Sequence, residues 1–133
     1  MVERQAKLKN INIIKEYGKD LPKVNVDRDQ IIEVFINVIS NARKAMPRGG
    51  ELTIRSWLED NYVTVEFRDT GIGIEPENIS RVFDPFFTTH RPGESVGLGL
   101  SVSYGIIKRH KGEIEAKSKG RNKGASFIVK IPV

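Results

Sequence analysis

The sequence has no cysteine, a single tryptophan, two histidines and no apolar run approaching the ~20 residues needed to span a bilayer. Without cysteine there is no disulfide scaffold, no thiolate zinc site and no cysteine nucleophile. His90 and His110 are not spaced as a metal pair, and the N-terminus carries no apolar signal segment. A cytoplasmic setting is therefore expected. What is present is ordinary for a globular chain: 133 residues, room for one domain, with 38% hydrophobic and 29% charged residues. Lysine and arginine number 22 against 17 acidic residues, a formal charge of +5. That balance suits a polyanionic partner, whether nucleic acid, anionic lipid or nucleotide phosphate, and does not choose among them.

Residues 1–9 are polar and basic without apolar periodicity, and read as a linker or the stub of a preceding helix. Asn10–Tyr17 is rich in β-formers and ends in the turn chemistry of Gly18 to Pro22. Asp27 followed by Gln30 has capping-box spacing, which predicts a long helix to Met46, stopped by Pro47-Arg48-Gly49-Gly50. Two alternating stretches, Glu51–Leu58 and Tyr62–Arg68, predict strands joined through Glu59-Asp60-Asn61. Pro76–Val82 suits a short helix and Phe83–Val96 a long loop. Leu98–Lys111 predicts a second long helix with Gly112 as its stop. Glu113–Ser118 and Ala125–Val133 close the chain as strands around a basic turn. The layout predicts an α/β fold, a mixed sheet covered on one face by helices.

The first long helix is apolar round most of its circumference, through Ile31, Ile32, Val34, Phe35, Ile36, Val38, Ile39, Ala42 and Ala45, which predicts a largely buried element. At ~100° per residue, Gln30, Glu33, Asn37, Ser40, Asn41 and Lys44 share about a third of a turn. That stripe either borders a cavity or is simply a solvated face. Asn37 and Asn41, one turn apart and followed by Lys44, make a row of amides ending in a cation. Amide oxygens can hold a hard cation such as Mg²⁺, and a lysine can meet phosphate charge.

Asp69-Thr70-Gly71-Ile72-Gly73 follows directly on a strand. Its glycines allow a sharp turn and close approach to a flat ligand, and its aspartate can accept a hydrogen bond from a base. An Asx turn explains the same residues without a ligand. Gly97-Leu98-Gly99-Leu100 opens the second helix, where free N–H groups suit phosphate. Between them, Phe83-Asp84-Pro85-Phe86-Phe87-Thr88-Thr89 sets three phenylalanines beside the loop, as a hinge for a mobile lid, as core packing, or both.

In order and spacing, Asn37-Val38-Ile39-Ser40-Asn41-Ala42, Asp69-Thr70-Gly71-Ile72-Gly73, Phe83-Asp84-Pro85-Phe86-Phe87 and Gly97-Leu98-Gly99-Leu100 resemble the N box, first glycine box, F box and second glycine box of sensor histidine kinases. The resemblance spans roughly residues 10–133 and is nearest to the nitrogen-regulation type, through Phe-Phe-Thr-Thr and His110-Lys111-Gly112. It implies the catalytic ATP-binding domain of a two-component kinase, with the Bergerat α/β sandwich shared with gyrase and MutL and a mobile ATP lid. By that likeness Asn41 would ligate Mg²⁺, Asn37 would support metal or phosphate, and Lys44 would contact the triphosphate. Asp69 would accept the adenine amino hydrogen, with Gly71, Gly73, Ile74 and Phe83 around the base. Gly97, Leu98, Gly99 and Leu100 would bring the second helix to the phosphates.

Two positions depart from the pattern. Ser95-Val96 stands where Gly-Thr is usual, and His90-Arg91 where a lysine often follows, so Arg91 would supply the cation. Neither histidine has an acceptor-type sequence, so the resemblance implies phosphoryl transfer to a histidine on a separate dimerisation domain, residues 1–9 being the stub of the link. A downstream response regulator is the implied further partner; no nucleic acid is expected, and the isolated domain is expected to be a monomer. Hydrolytic relatives carry a water-activating glutamate where this chain has Asn37, so slow hydrolysis is implied. Two alternatives remain at this point: a nucleotide-binding module of the same fold that never transfers phosphate, and a gyrase/MutL-like ATPase.

Overall fold

The computed structural model describes residues 10–85, 87 and 99–133. The expected stub 1–9, most of the expected lid, and the site candidates Arg91, Gly97 and Leu98 lie outside the described residues. The elements run β1 (Ile11–Glu16), α1 (Arg28–Ala45), β2 (Gly50–Glu59), β3 (Tyr62–Asp69), a 3₁₀ turn (Pro76–Arg81), α2 (Gly99–Arg109), β4 (Glu113–Lys117) and β5 (Ala125–Pro132). They form one five-stranded sheet in the order β1-β2-β3-β5-β4. Only β1 and β2 are parallel. A parallel pair needs a crossover, and α1 supplies it. The mixed sheet with helices is as expected; Pro76–Val82 forms a 3₁₀ turn rather than an α-helix.

Local chemistry explains most boundaries. Asp27 caps α1, its carboxylate accepting from the Gln30 N–H at 3.2 Å. The reciprocal bond of a capping box is absent: the Asp27 N–H donates to His110 Nε2 at 3.0 Å instead. The β2–β3 hairpin turns on Asp60 and Asn61, both with positive φ (50° and 66°), the two-residue geometry that matches the twist of the strands. Gly112 is not the left-handed residue that ends α2. Lys111 takes that conformation, with φ 62°. Its N–H reaches Lys108 O and that of Gly112 reaches Ile107 O, the two bonds of a Schellman cap. Gly112 is needed because a Cβ there would meet the carbonyl of Lys130 in β5.

The helices pack on one face of the sheet. Val34, Val38, Ile39 and Ala42 of α1 and Ile106 and Ile107 of α2 close over Leu52, Ile54, Phe67, Phe127 and Val129. Phe35 stacks on Phe67 with ring centroids 5.4 Å apart. The helix was expected to be largely buried outside its polar stripe, yet α1 leaves the apolar Ile32 and Ile36 exposed. These two stand one turn apart, roughly a third of a turn from the buried row.

On the opposite face, Arg55 pairs with Glu66 (3.2 Å) and Glu16 (3.4 Å) and lies over the Trp57 ring. In that layer Thr64, opposite Trp57 in the β2–β3 register, is fully buried and its Oγ1 has no partner among the described residues. A buried hydroxyl without a hydrogen bond destabilises. Thr64→Val keeps the shape and the β-branch, and should raise stability by about 1 kcal/mol in urea denaturation.

Candidate nucleotide site

The candidate residues assemble around the polar stripe of α1. Asp69, the last residue of β3, is buried, and its Oδ1 accepts from the N–H groups of Gly71 (2.9 Å) and Ala125 (3.1 Å). Oδ2 has no partner among the described residues and is left as the acceptor for a ligand. Burial pushes the carboxyl above its ordinary value of 3.8, against the pull of the two backbone N–H groups.

The glycine loop beyond Asp69 is fastened on two sides. The Ile72 N–H donates to Ala45 O at 3.0 Å, which joins the loop to the last turn of α1, next to Lys44 and one turn from Asn41. Asn122 N–H reaches Ile72 O and Gly124 N–H reaches Gly71 O, which joins it to the β4–β5 turn. Gly71 sits so close to α1 that a Cβ would strike the Ala45 carbonyl. Gly73 has φ 75°, and a side chain there would meet Gly120 O. Both glycines are thus required by the shape of the loop before any ligand is considered.

Asn37 joins the second helix to the same stripe. Its Nδ2 donates to Gly99 O at 3.1 Å and to Ser103 Oγ at 3.2 Å. A carbonyl can only accept, so these bonds assign the amide nitrogen, and Oδ1 is the atom left for a ligand. Asn37 is therefore first a link between α1 and the opening turn of α2. Asn41 is half-buried and makes no hydrogen bond with the described residues, so its whole amide is available. Lys44 is half-buried in the last turn of α1.

Ile74 and Leu100 are half-buried against the core. Phe83 packs on Tyr104 (5.6 Å) and Phe127 (6.2 Å), which makes it a core contact at the root of the expected lid. Three contributors were not foreseen. Ser118 Oγ accepts from Ile74 N–H at 3.0 Å and donates to Gly124 O at 2.7 Å, holding the far side of the loop. Thr70 Oγ1 accepts from Glu51 N–H at 3.0 Å. Ser103 is fully buried and its hydroxyl donates to Gly99 O one turn back.

Residues 26–133 match the family described as histidine kinase-, DNA gyrase B-, and HSP90-like ATPase. The whole chain (100%) aligns with Sporulation kinase E of Bacillus subtilis (strain 168) at 37% identity over 135 residues, covering 18% of that protein. The nucleotide-free catalytic domain of histidine kinase ThkA is similar at TM-score 0.83 and 33% identity, over 98% of this chain and 85% of that one. ThkA in complex with response regulator protein TrrA gives 0.79 and 33%, over 98% of this chain and 36% of that one. The chain spans 15–21% of the length of three curated relatives, all named as kinases. It belongs to the histidine kinase-, DNA gyrase B- and HSP90-like ATPase family. Within that family it is an ATP-binding domain of the kind that forms the catalytic domain of histidine kinases. Neither the gyrase/MutL-like reading nor the non-transferring module is favoured by these relatives. Among the described residues, no helix is long and apolar enough to cross a membrane.

Proposed function

We propose that this domain binds ATP with Mg²⁺ and transfers the γ-phosphoryl group to a histidine on a dimerisation/phosphoacceptor domain, for passage to a response regulator. In that step the imidazole nitrogen forms the new P–N bond, the bond to the β–γ bridging oxygen breaks, and ADP leaves. The observation that carries the reading is convergence on α1: one hydrogen bond ties the Asp69 loop to Ala45 O, and another ties Gly99 to Asn37. On this reading a base acceptor, an amide-and-lysine row and a helix N-terminus serve the base, the metal and the phosphates of one nucleotide.

Each group has a role set by its chemistry. Asp69 Oδ2 takes the amino hydrogen of adenine; guanine presents a carbonyl at that edge and would leave the carboxylate unpaired. Lys44 and the N–H groups opening α2 carry phosphate charge. Among the described residues no three His, Cys, Asp or Glu side chains gather as a metal site. Mg²⁺ suits this environment, since it commonly binds one or two protein oxygens together with phosphates and water, and Asn41 Oδ1 is open to serve. When bound it would neutralise charge on the β- and γ-phosphates. Asn37 is no base, so the domain would orient the nucleotide and leave nucleophile activation to the acceptor.

The resemblance of Phe86-Phe87-Thr88-Thr89 and His110-Lys111-Gly112 supports placement in the nitrogen-regulation type, with residues 1–9 as the link to the acceptor domain. A cytoplasmic site of action follows from the ATP supply. Calorimetric titration with ATP and GTP tests the pocket: ATP should bind at least ~100-fold more tightly. Labelled ATP given together with an acceptor domain should yield phosphohistidine, with little acceptor-independent hydrolysis. Equal binding of GTP, or rapid hydrolysis by the domain alone, would overturn the reading.

A further inference from the structure

We infer that His110, outside the nucleotide site, is a positioning residue that sets the phosphate-binding end of α2 by clasping its other end to α1; this rests on the ATP-site reading above. The imidazole Nδ1 lies 2.8 Å from Ile106 O, one turn back in α2. A carbonyl can only accept, so Nδ1 carries the proton and Nε2 is bare. That bare nitrogen takes the Asp27 N–H at 3.0 Å. Asp27 is the N-cap of α1, and this N–H is the donor that its own Gln30 leaves unsatisfied. His110 thus does from 83 positions away what a capping box does from three.

The clasp has a counterpart at the opposite end of α2, where Asn37 holds Gly99 O and Ser103 Oγ. The two helices therefore lie antiparallel, pinned by polar contacts at both ends, with Ile106 and Ile107 in the core between. Apolar packing alone permits sliding and tilting, whereas two directional contacts at opposite ends define an axis. α2 has only 11 residues, so a tilt released at His110 is transmitted to Gly99. Gly99 opens the helix whose N–H groups meet the triphosphate, while Asp69 lies on β3 and belongs to a separate set of contacts. Loss of the clasp should consequently be felt by the phosphates and not by the base.

The test is titration of His110→Ala, His110→Gln and the unaltered chain with ATP and with adenosine. His110→Ala should lose about tenfold in ATP affinity and less than about twofold in adenosine affinity. His110→Gln, which offers a donor and an acceptor at similar separation, should recover most of the loss. In the unaltered chain, ¹⁵N shifts of the ring at about pH 8 should show a protonated Nδ1 and a bare Nε2. Equal losses for both ligands would reduce His110 to general stability, and unchanged ATP binding or the opposite tautomer would remove the clasp; each outcome overturns the inference while leaving the ATP site standing. Failure of the unaltered chain to prefer ATP over adenosine would instead remove the functional reading, and this inference with it.

Discussion

Asp69→Asn is expected to cost at least ~100-fold in ATP affinity while leaving the fold no less stable at neutral pH. Asparagine retains Oδ1, which can still accept from Gly71 and Ala125. The change falls at the other atom: an amide NH₂ replaces Oδ2 and meets the adenine amino group donor to donor, which leaves both donors unpaired. Stability moves the other way. Because burial holds the carboxyl above 3.8, its contribution is fully present below that pH and is lost as pH rises through the raised folded value. At neutral pH the ionised side chain is a net cost to folding, and asparagine never ionises. For the same reason ATP affinity should fall as acid titrates the carboxylate, beginning above pH 3.8. Calorimetry with ATP and a thermal melt at neutral pH check both halves. A variant that melts lower yet binds ATP normally would show that Asp69 is a structural Asx cap and nothing more.

That separation of cost and benefit bears on what a sequence can disclose. Asp69 and its two glycines were legible because their chemistry is local: a carboxylate at a strand end, followed by residues that alone fit against Ala45 O and Gly120 O. Strand and helix limits were legible for the same reason, from alternation in β2 and β3 and from the cap at Asp27. What escaped was long-range. Ser118 acts on Ile74 from 44 positions away and His110 on Asp27 from 83, and no periodicity encodes such a pairing. Ser103 could have been found, since it lies one helical turn from Gly99 and on the buried side of α2. The exposure of Ile32 and Ile36 was missed because composition round a helix does not reveal how far its neighbours reach. Asn37 shows the limit most clearly. Its place in the motif suggested a ligand to metal or phosphate, a role still open to Oδ1, but gave no sign that its amide nitrogen joins two helices.

The two asparagines of α1 should therefore separate on substitution, and Asn41→Ala is the informative member. Asn37→Ala would leave Ser103 short of a partner and loosen α2, so lost activity would have two explanations. Asn41 has no hydrogen bond with the described residues and is only half-buried, and alanine is the better helix former, so the fold should hold or gain slightly. If its Oδ1 is the protein ligand for Mg²⁺, Asn41→Ala should bind ATP equally with and without Mg²⁺, at the weaker, metal-free level of the unaltered chain. Adenosine, which carries no phosphate, should bind as before. Phosphoryl transfer to an acceptor domain should fall on the order of 10²–10³-fold, the scale for losing one preorganised group that meets charge in the transition state. Titrations with each ligand, with and without Mg²⁺, read the first two effects and a labelled-ATP assay the third. Retained Mg²⁺ dependence would take Asn41 out of the metal site and point to Asn37 Oδ1, the neighbouring amide oxygen one turn back on the stripe, to supply it.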